Sequence, residues 1–351
     1  MRVLVTGATG YIGSRVIPVL LARGHDVVAA VRDPQRISRY VWADRVETVL
    51  FDLDDADTVC RATAGVDAVV YLVHSMHGRD FVTKDRNAAR AMVCAAERHR
   101  VQRIVYLSGL IPEGDDLLSD HLGSRLEVEE ILLASGVDVT VLRAAIILGA
   151  GSTSFELVRR ITERLPVTPI PAWMHHHVQP IAVADVLAIV AATLDETSYA
   201  GSFDIGGPEV LTYPQLLNAY ADVAELRRFH LPVPAVPKNV VGRAVAAITA
   251  MPKSPVTALV ESLTHEMVVH RGNAAPVFTK ADKPMTGVRE ALRRSITTPL
   301  GGMKADALPD PAGPADTDPG WTGGVVDIYG GRVRHRPVGV GARLMLGMTL
   351  R

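Results

Sequence analysis

Hydrophobic positions in the first 150 residues follow two alternating periods. Nearly continuous runs of β-branched and apolar residues occur at Val3–Thr6, Val27–Val31, Val46–Phe51, Ala68–Val73, Arg103–Leu107 and Val137–Leu142. Between them, apolar residues recur at helical spacing over Ile12–Arg23, Asp55–Ala64, Lys84–Arg100 and Ser119–Ala134. Near-continuous apolar strands separated by such helices predict βαβ units and a parallel sheet buried on both faces. The expected fold class is a doubly wound α/β protein.

From about Gly149 the rhythm changes. Prolines at Pro166, Pro169, Pro171, Pro180, Pro232, Pro234 and Pro237 punctuate helical patterns at Ser154–Arg164, Val183–Leu194, Tyr213–Leu226 and Lys238–Met251. We therefore expect a first domain over residues 1–150, its sheet completed by a strand at Ser202–Ile205 within about 178–206. A smaller, mostly helical lobe follows over 151–300. Residues 301–351 are rich in Gly and Pro and read as a short appended tail. Within it, Val325–Tyr329, Gly330-Gly331 and Arg332–Arg336 carry a hairpin signature, because paired glycines tolerate the positive φ of a tight turn.

Composition narrows the classes. With 37 Lys plus Arg against 38 Asp plus Glu, the chain lacks the basic excess of a dedicated nucleic-acid binder. Two cysteines, Cys60 and Cys94, make no disulfide framework; both lie in helical patterns and are expected to be buried and inert. The first strand begins at Val3, which leaves no room for a leader, and no window reaches the ~18 uninterrupted apolar residues of a spanning helix. A cytoplasmic protein is expected. From Arg332 onward there are five Arg and no acid. A solvated tail is the plain reading, and contact with a protein partner or an anionic surface is the sharper one.

The strongest chemical signal is Val3-Leu4-Val5-Thr6-Gly7-Ala8-Thr9-Gly10-Tyr11-Ile12-Gly13. A strand ends, three glycines follow at intervals of three, and an apolar helix begins. The first glycine permits a sharp turn, the second lets backbone N–H groups approach a pyrophosphate, and the third lets helix pack on strand. Gly7, Thr9, Gly10, Tyr11, Ile12 and Gly13 are thus the candidate phosphate cradle of a Rossmann domain. After the second strand comes Val31-Arg32-Asp33-Pro34-Gln35-Arg36. An Arg there suits the 2′-phosphate of NADP, an acid the ribose of NAD. Arg32 favours NADP(H) over NADH; the alternative has Arg32 solvated and Asp33 holding NAD.

On these residues the chain resembles an atypical or extended short-chain dehydrogenase/reductase. More narrowly, it is similar to the NmrA-like and complex I accessory-subunit-like NAD(P)H-binding branch, whose bacterial members are epimerase-like. The resemblance runs through Asp52-Leu53, Leu72-Val73, Tyr106–Leu110, Leu142-Arg143, Gln179–Ile181 with Asp185-Val186, and Phe203–Pro208, over roughly residues 1–300. Asp318–Arg336 resembles the start of a C-terminal extension that some relatives carry. The resemblance implies that Asp52 and Leu53 lie beside the adenine and that Leu72 and Val73 line the ribose and phosphates.

The family's chemistry uses a Ser after the fifth strand and a Tyr-x-x-x-Lys on the next helix. Here Ser108 ends the fifth strand, and His121-Leu122-Gly123-Ser124-Arg125 follows at matching spacing. His121 and Arg125 stand where Tyr and Lys would be, and positions i and i+4 share one helix face. Ser108, His121 and Arg125 are the candidate catalytic residues, with Ser108 and Arg125 also touching cofactor. A neighbouring Arg would lower the His121 pKa and make it a better base than acid. Asn87 is an ordinary polar helix position in this reading. Trp173–Val178, with its three adjacent histidines, reads as a pocket rim rather than a metal site. Asp185 starts or caps a helix.

The expected function is an NADP(H)-dependent oxidoreductase acting on a fairly hydrophobic carbonyl or quinone-like substrate, which enters around Ile146–Phe155 and Trp173–Val178. The alternative is a non-catalytic or redox-sensing NAD(P)H-binding module in assembly or regulation, motivated by His121 in place of the family Tyr.

Overall fold

The structure, a computed structural model, describes residues 1–74, 80–112, 118–195, 199–234, 238–270, 272–273, 284–299 and 310–336. The first six strands are β1 (Arg2–Thr6), β2 (Asp26–Val31), β3 (Glu47–Leu50), β4 (Ala68–Tyr71), β5 (Arg103–Gly109) and β6 (Asp138–Ala144). With Gly201–Ile205 they form a seven-stranded sheet in the order Gly201–Ile205, β6, β5, β4, β1, β2, β3. Every neighbouring pair is parallel. The doubly wound α/β expectation holds, and Ser202–Ile205 does return to the sheet as its edge strand. The chain steps outward from β1 to β3, then crosses back to β4. That reversal opens a crevice between β1 and β4 at the carboxyl ends of the strands, where open α/β sheets bind ligands.

The helices are α1 (Tyr11–Ala22), α2 (Ala56–Thr63), α3 (Phe81–His99), α4 (Asp120–Leu133), α5 (Thr153–Arg164), α6 (Val183–Asp195), α7 (Tyr213–Val223), α8 (Lys238–Thr249), α9 (Lys253–Ser262) and α10 (Val288–Ser295). Ser119, Ser152 and Thr212 cap α4, α5 and α7 with their hydroxyls, and Asp55 caps α2 with its carboxylate. Asp185 lies in the first turn of α6. The core on one sheet face joins Leu4, Val28, Val69, Ile104 and Val141 to Met92 of α3 and Leu132 of α4. Each such side chain contributes roughly 1.5–3 kcal/mol by leaving water. The two cysteines depart from expectation. Cys94 is exposed and Cys60 half-buried, with its Sγ 3.4 Å from His99 Nε2. On α3 it is Met92, Ala95 and Ala96 that face the core, which turns Cys94 outward.

The described chain divides into two compact units: Met1–Ala144 with Asp185–Ile205 and Val269–Lys283, and Ala145–Ala184 with Gly206–Val268 and Pro284–Arg351. The second holds α5, α7, α8, α9, α10, a parallel strand pair (Val167–Pro171 with Phe229–Val233) and the hairpin Val326–Tyr329 with Arg332–His335. Gly330 and Gly331 supply the positive φ of that turn. Residues 310–336 are part of this unit rather than an appendage. The rest of the expected tail, 301–309 and 337–351 with Arg343 and Arg351, lies outside the described residues. Four buried charged side chains of α5 hold the segment. Glu156 accepts from Gly323 N (3.0 Å), Glu163 accepts from Val325 N (2.7 Å), Arg159 donates to Val326 O (2.7 Å), and Arg160 bonds Trp321 O. Gly324 is tight because a Cβ there would fall 2.1 Å from Glu163 Oε2. Among the described residues no helix is long and apolar enough to cross a membrane.

Candidate dinucleotide and catalytic site

The glycine loop is shaped by contacts that exclude side chains. Gly7 has φ +63, and a Cβ on Gly13 would sit 2.2 Å from Gly7 O. Gly7 O accepts from Gly10 N (2.8 Å), and Gly10 caps α1 without a side chain. The N-terminus of this 12-residue helix thus meets bare backbone. First-turn N–H groups and the helix dipole there favour an anion, so the cradle fits a dinucleotide pyrophosphate. Thr6 ties it to the crevice: its hydroxyl accepts from Leu72 N (2.9 Å) and donates to Val70 O (3.3 Å). This places Leu72 and Val73, half-buried, directly beyond β4 and opposite Gly7, whose missing Cβ would touch Leu72 O at 3.5 Å. Tyr11 and Ile12 open α1, and the Arg15 guanidinium lies over the Tyr11 ring at 4.3 Å.

Two aromatic residues support the loop and were not legible from its motif. Tyr40 donates from its hydroxyl to Thr9 O (3.0 Å), and Trp42 donates from Nε1 to Ser14 O (3.0 Å). Their rings stack at 4.8 Å. At the end of β2, Arg32 is exposed and has no carboxylate in salt-bridge range among the described residues. Asp33, by contrast, caps the 3₁₀ turn Pro34–Arg39 through Gln35 N (3.1 Å) and pairs with Arg36 (3.1 Å). Asp52 and Leu53 follow β3, half-buried. Asp52 forms a local turn, accepting from Asp54 N (3.1 Å) while its own N–H donates to the Thr58 hydroxyl (2.9 Å).

The structure brings the three candidate catalytic residues to the neighbouring strand end. Ser108, 2% exposed, lies near the end of β5, and its buried Oγ has no hydrogen-bond partner of ordinary geometry. His121 and Arg125 occupy successive turns of α4. Gly109 makes room for Arg125, since a Cβ there would press on Arg125 Cδ at 3.3 Å. Arg125 Nε donates to His121 Nε2 (3.2 Å). Its Nη2 reaches Nε2 of a second imidazole, His74, at 3.0 Å. His74 was missed in the sequence. Its signal was position alone, three residues beyond β4 on the cofactor edge. The two rings lie 6.0 Å apart.

A guanidinium only donates, so both Nε2 atoms are unprotonated and each neutral ring carries its hydrogen on Nδ1. Burial first and the Arg125 charge second lower the His121 pKa to about 4, and the same causes hold His74 well below its ordinary value. Burial also lowers the Arg125 pKa, against Tyr106 and Asp85, which favour its charge. Burial raises the Tyr106 pKa, with Arg125 and the Ser108 hydroxyl pulling the other way. Asp85 of α3 is the buried polar residue near this cluster, accepting from Ser124 Oγ (3.1 Å). Asn87, two positions on, is exposed.

In the second unit, Ile146, Phe155 and Met174 of the expected substrate entrance are buried; Phe155 packs against Tyr220 at 6.0 Å. Trp173 is half-buried. His176 and His177 share Glu266, at 3.4 and 3.2 Å. No group of three metal-ligating side chains occurs among the described residues.

The sequence model for NAD(P)H-binding proteins matches residues 7–194, more than half of the chain. The chain belongs to the NAD(P)H-binding family. Its matched span runs from the glycine cradle through α6, so the fold and loop described above are those of the family. Among curated relatives, an uncharacterized protein of Mycobacterium tuberculosis is 27% identical over 220 residues, 62% of this chain and 23% of that protein. The chain therefore spans about a quarter of the length of the first relatives it matches. A 4-hydroxy-2-methyl-3-oxo-4-farnesyl-3,4-dihydroquinoline-1-oxide ketoreductase of Stigmatella aurantiaca is 26% identical over 177 residues, 44% of this chain and 53% of that one. Among solved structures, the triphenylmethane reductase of Citrobacter sp., complexed with NADP(H), superposes with a TM-score of 0.66 at 19% identity, covering 84% of this chain and 100% of the other. At that identity the likeness is one of fold.

Proposed function

We propose that the protein is an NADPH-dependent oxidoreductase that transfers hydride between the nicotinamide and a carbonyl or quinone-like group on a largely apolar substrate. One observation carries this reading. Ser108, His121, Arg125 and His74 cluster at the carboxyl ends of β4 and β5, on the sheet edge that also bears the glycine cradle. The bound dinucleotide would supply the hydride. Gly7, Thr9, Gly10, Tyr11, Ile12 and Gly13 hold its diphosphate, Asp52 and Leu53 flank the adenine, and Leu72 and Val73 line the ribose and phosphates. Ser108 and Arg125 hold ribose and substrate oxygens. His121, neutral at physiological pH, offers its Nδ1–H to the reacting oxygen, as a hydrogen-bond donor rather than an imidazolium acid, and in the direction of reduction the product oxyanion takes its proton from solvent water.

The preference for NADPH rests on Arg32 and Asp33. The Asp33 carboxylate is engaged by Gln35 N and Arg36, whereas the Arg32 fork is uncommitted among the described residues. A bidentate pair with a 2′-phosphate suits it. The apolar substrate is supported by the farnesyl group in the name of the Stigmatella ketoreductase. Titration of Arg32→Ala with NADPH and NADH tests the cofactor: NADPH affinity falls by about tenfold or more while NADH affinity barely moves. Equal losses reject the 2′-phosphate assignment. NADPH oxidation with a panel of ketones and quinones tests the reaction. Tight NADPH binding without turnover of any acceptor favours the sensing module, a reading supported by the low His121 pKa, which leaves no imidazolium to protonate a product.

A further inference from the structure

Several arginines with little exposure meet carboxylates, whereas buried Arg160 bonds the carbonyl oxygens of Thr249 (2.6 Å) and Trp321. Arg103 pairs with Asp138, Arg143 with Glu129, and Arg159 with Glu163 and Glu156. Arg125 does not. Its guanidinium contacts are the two imidazole Nε2 atoms, and no carboxylate lies in salt-bridge range among the described residues. Asp85 is the carboxylate whose field reaches it, and Asp85 is bonded to Ser124. A charge in such surroundings, balanced only by neutral acceptors, is unfavourable unless a ligand completes it.

The unused polar valences around Arg125 are all of one kind. Both imidazoles spend their acceptor nitrogen on Arg125, and the His74 ring also bonds the Leu72 backbone, so the ring position left to a ligand is the Nδ1–H donor of His121. The guanidinium retains further N–H groups at Nη1. The Ser108 hydroxyl, buried and without a partner of ordinary geometry, lies at the end of the adjoining strand. Donors without acceptors, around an uncompensated cation, match a planar anion whose charge is spread over two oxygens.

We propose that Arg125, with His74, His121 and Ser108 around it, is a receptor for a delocalised oxyanion, so that the substrate is an acidic carbonyl compound carrying a carboxylate or enolate beside the reducible carbon. The assignment rests on the oxidoreductase reading and narrows its substrate class. His74 acts here as a positioning residue. Its Nε2 fixes Nη2 of Arg125 from the β4 side, while His121 fixes Nε from α4, so the planar fork is held at two points.

The test is direct binding to the full chain, with and without NADP+, of 3-oxooctanoate and its neutral methyl ester. The acid binds about tenfold more tightly than the ester at neutral pH, the scale of one charge-assisted hydrogen bond. Arg125→Gln brings the two ligands level, because it weakens the acid about tenfold more than the ester. Equal binding of acid and ester to the wild-type chain overturns the proposal, as does a preference that survives Arg125→Gln. Should that variant fail to fold, the wild-type chain still decides. Its His74 and His121 ring resonances in NMR shift with the acid and not with the ester, and unmoved resonances reject the receptor. The NADP+ titration is read separately. A chain that binds NADP+ but shows no acid preference loses the receptor and keeps the dinucleotide reading, whereas an acid preference without NADP+ binding does the reverse.

Discussion

Two helices of this protein carry an arginine one turn from its polar partner, and they use it in opposite ways. On α5, Arg159 pairs with Glu163 four residues on and Glu156 three residues back. On α4, Arg125 looks back four residues to His121 and across to His74. Burial alone would lower the pKa of both. For Arg159, Tyr220 and the two glutamates outweigh burial and raise it; for Arg125 burial prevails. The α5 cluster is closed. Tyr220 donates to Glu163 at 2.6 Å, and backbone N–H groups take other carboxylate oxygens. Equal spacing thus produces a finished brace in one unit and an unfinished cation in the other. The partner's charge, not the spacing, decides between architecture and receptor.

The comparison makes unequal forecasts. Arg159→Met leaves two buried glutamates without their cation and costs about 3–5 kcal/mol in urea unfolding. Arg125→Met removes an uncompensated charge and stays within about 1 kcal/mol of wild type by the same measurement. Equal losses from the two substitutions would erase the distinction. Gly324→Ala strikes the brace from the other side. Its Cβ meets Glu163 Oε2 and Arg159 Nε inside 2.5 Å, so the expected loss is about 2–3 kcal/mol, read as a lowered melting temperature.

The imidazoles predict a pH effect of fixed sign. His121 titrates at about 4 in the folded chain and near 6.5 when unfolded. Between those values the unfolded state binds more protons, so this contribution is complete above about pH 6.5 and is lost as pH falls toward 4. His74, also lowered, adds in the same direction. Melting curves of His121→Gln and wild type should converge through this window by on the order of 2 kcal/mol, after allowance for solvent at a half-buried ring. A constant offset would contradict the neutral imidazole. The smallest effect belongs to the loop's support. Tyr40→Phe removes the bond to Thr9 O and weakens NADPH binding by about 1 kcal/mol in a titration.

Much of the fold was readable because it depends on local order. Buried parallel strands need continuous apolar runs, and the six runs of the first 150 residues became β1 to β6 with ends shifted by only a few positions. The glycine loop was readable for the same reason, since Gly10 and Gly13 answer to the close approach of Gly7 O and Gly7 to its own positive φ. Ser108, His121 and Arg125 emerged from the family resemblance, because they stand at the positions of its Ser and Tyr-x-x-x-Lys. His74 did not, because nothing near it in the chain distinguishes it. Only the pairing of β4 with β5, in register from Ala68 against Arg103, carries it to Arg125. Tyr40 and Trp42 were invisible likewise, lying about thirty residues from the backbone oxygens they bond.

Residues 310–336 mark the limit. Their glycines and prolines read as an appended tail with a hairpin, because composition and turn signals report only local backbone freedom. The carboxylates and guanidinia of α5, more than 150 residues earlier, anchor them. The sequence by itself determined the alternation of strand and helix, the anion cradle and the helical spacing of His121 and Arg125, all set by interactions within one turn or one strand. The tertiary structure decided which arginine found a carboxylate and which found imidazoles, because a buried charge is completed by whatever the packing of distant segments brings within about 3 Å.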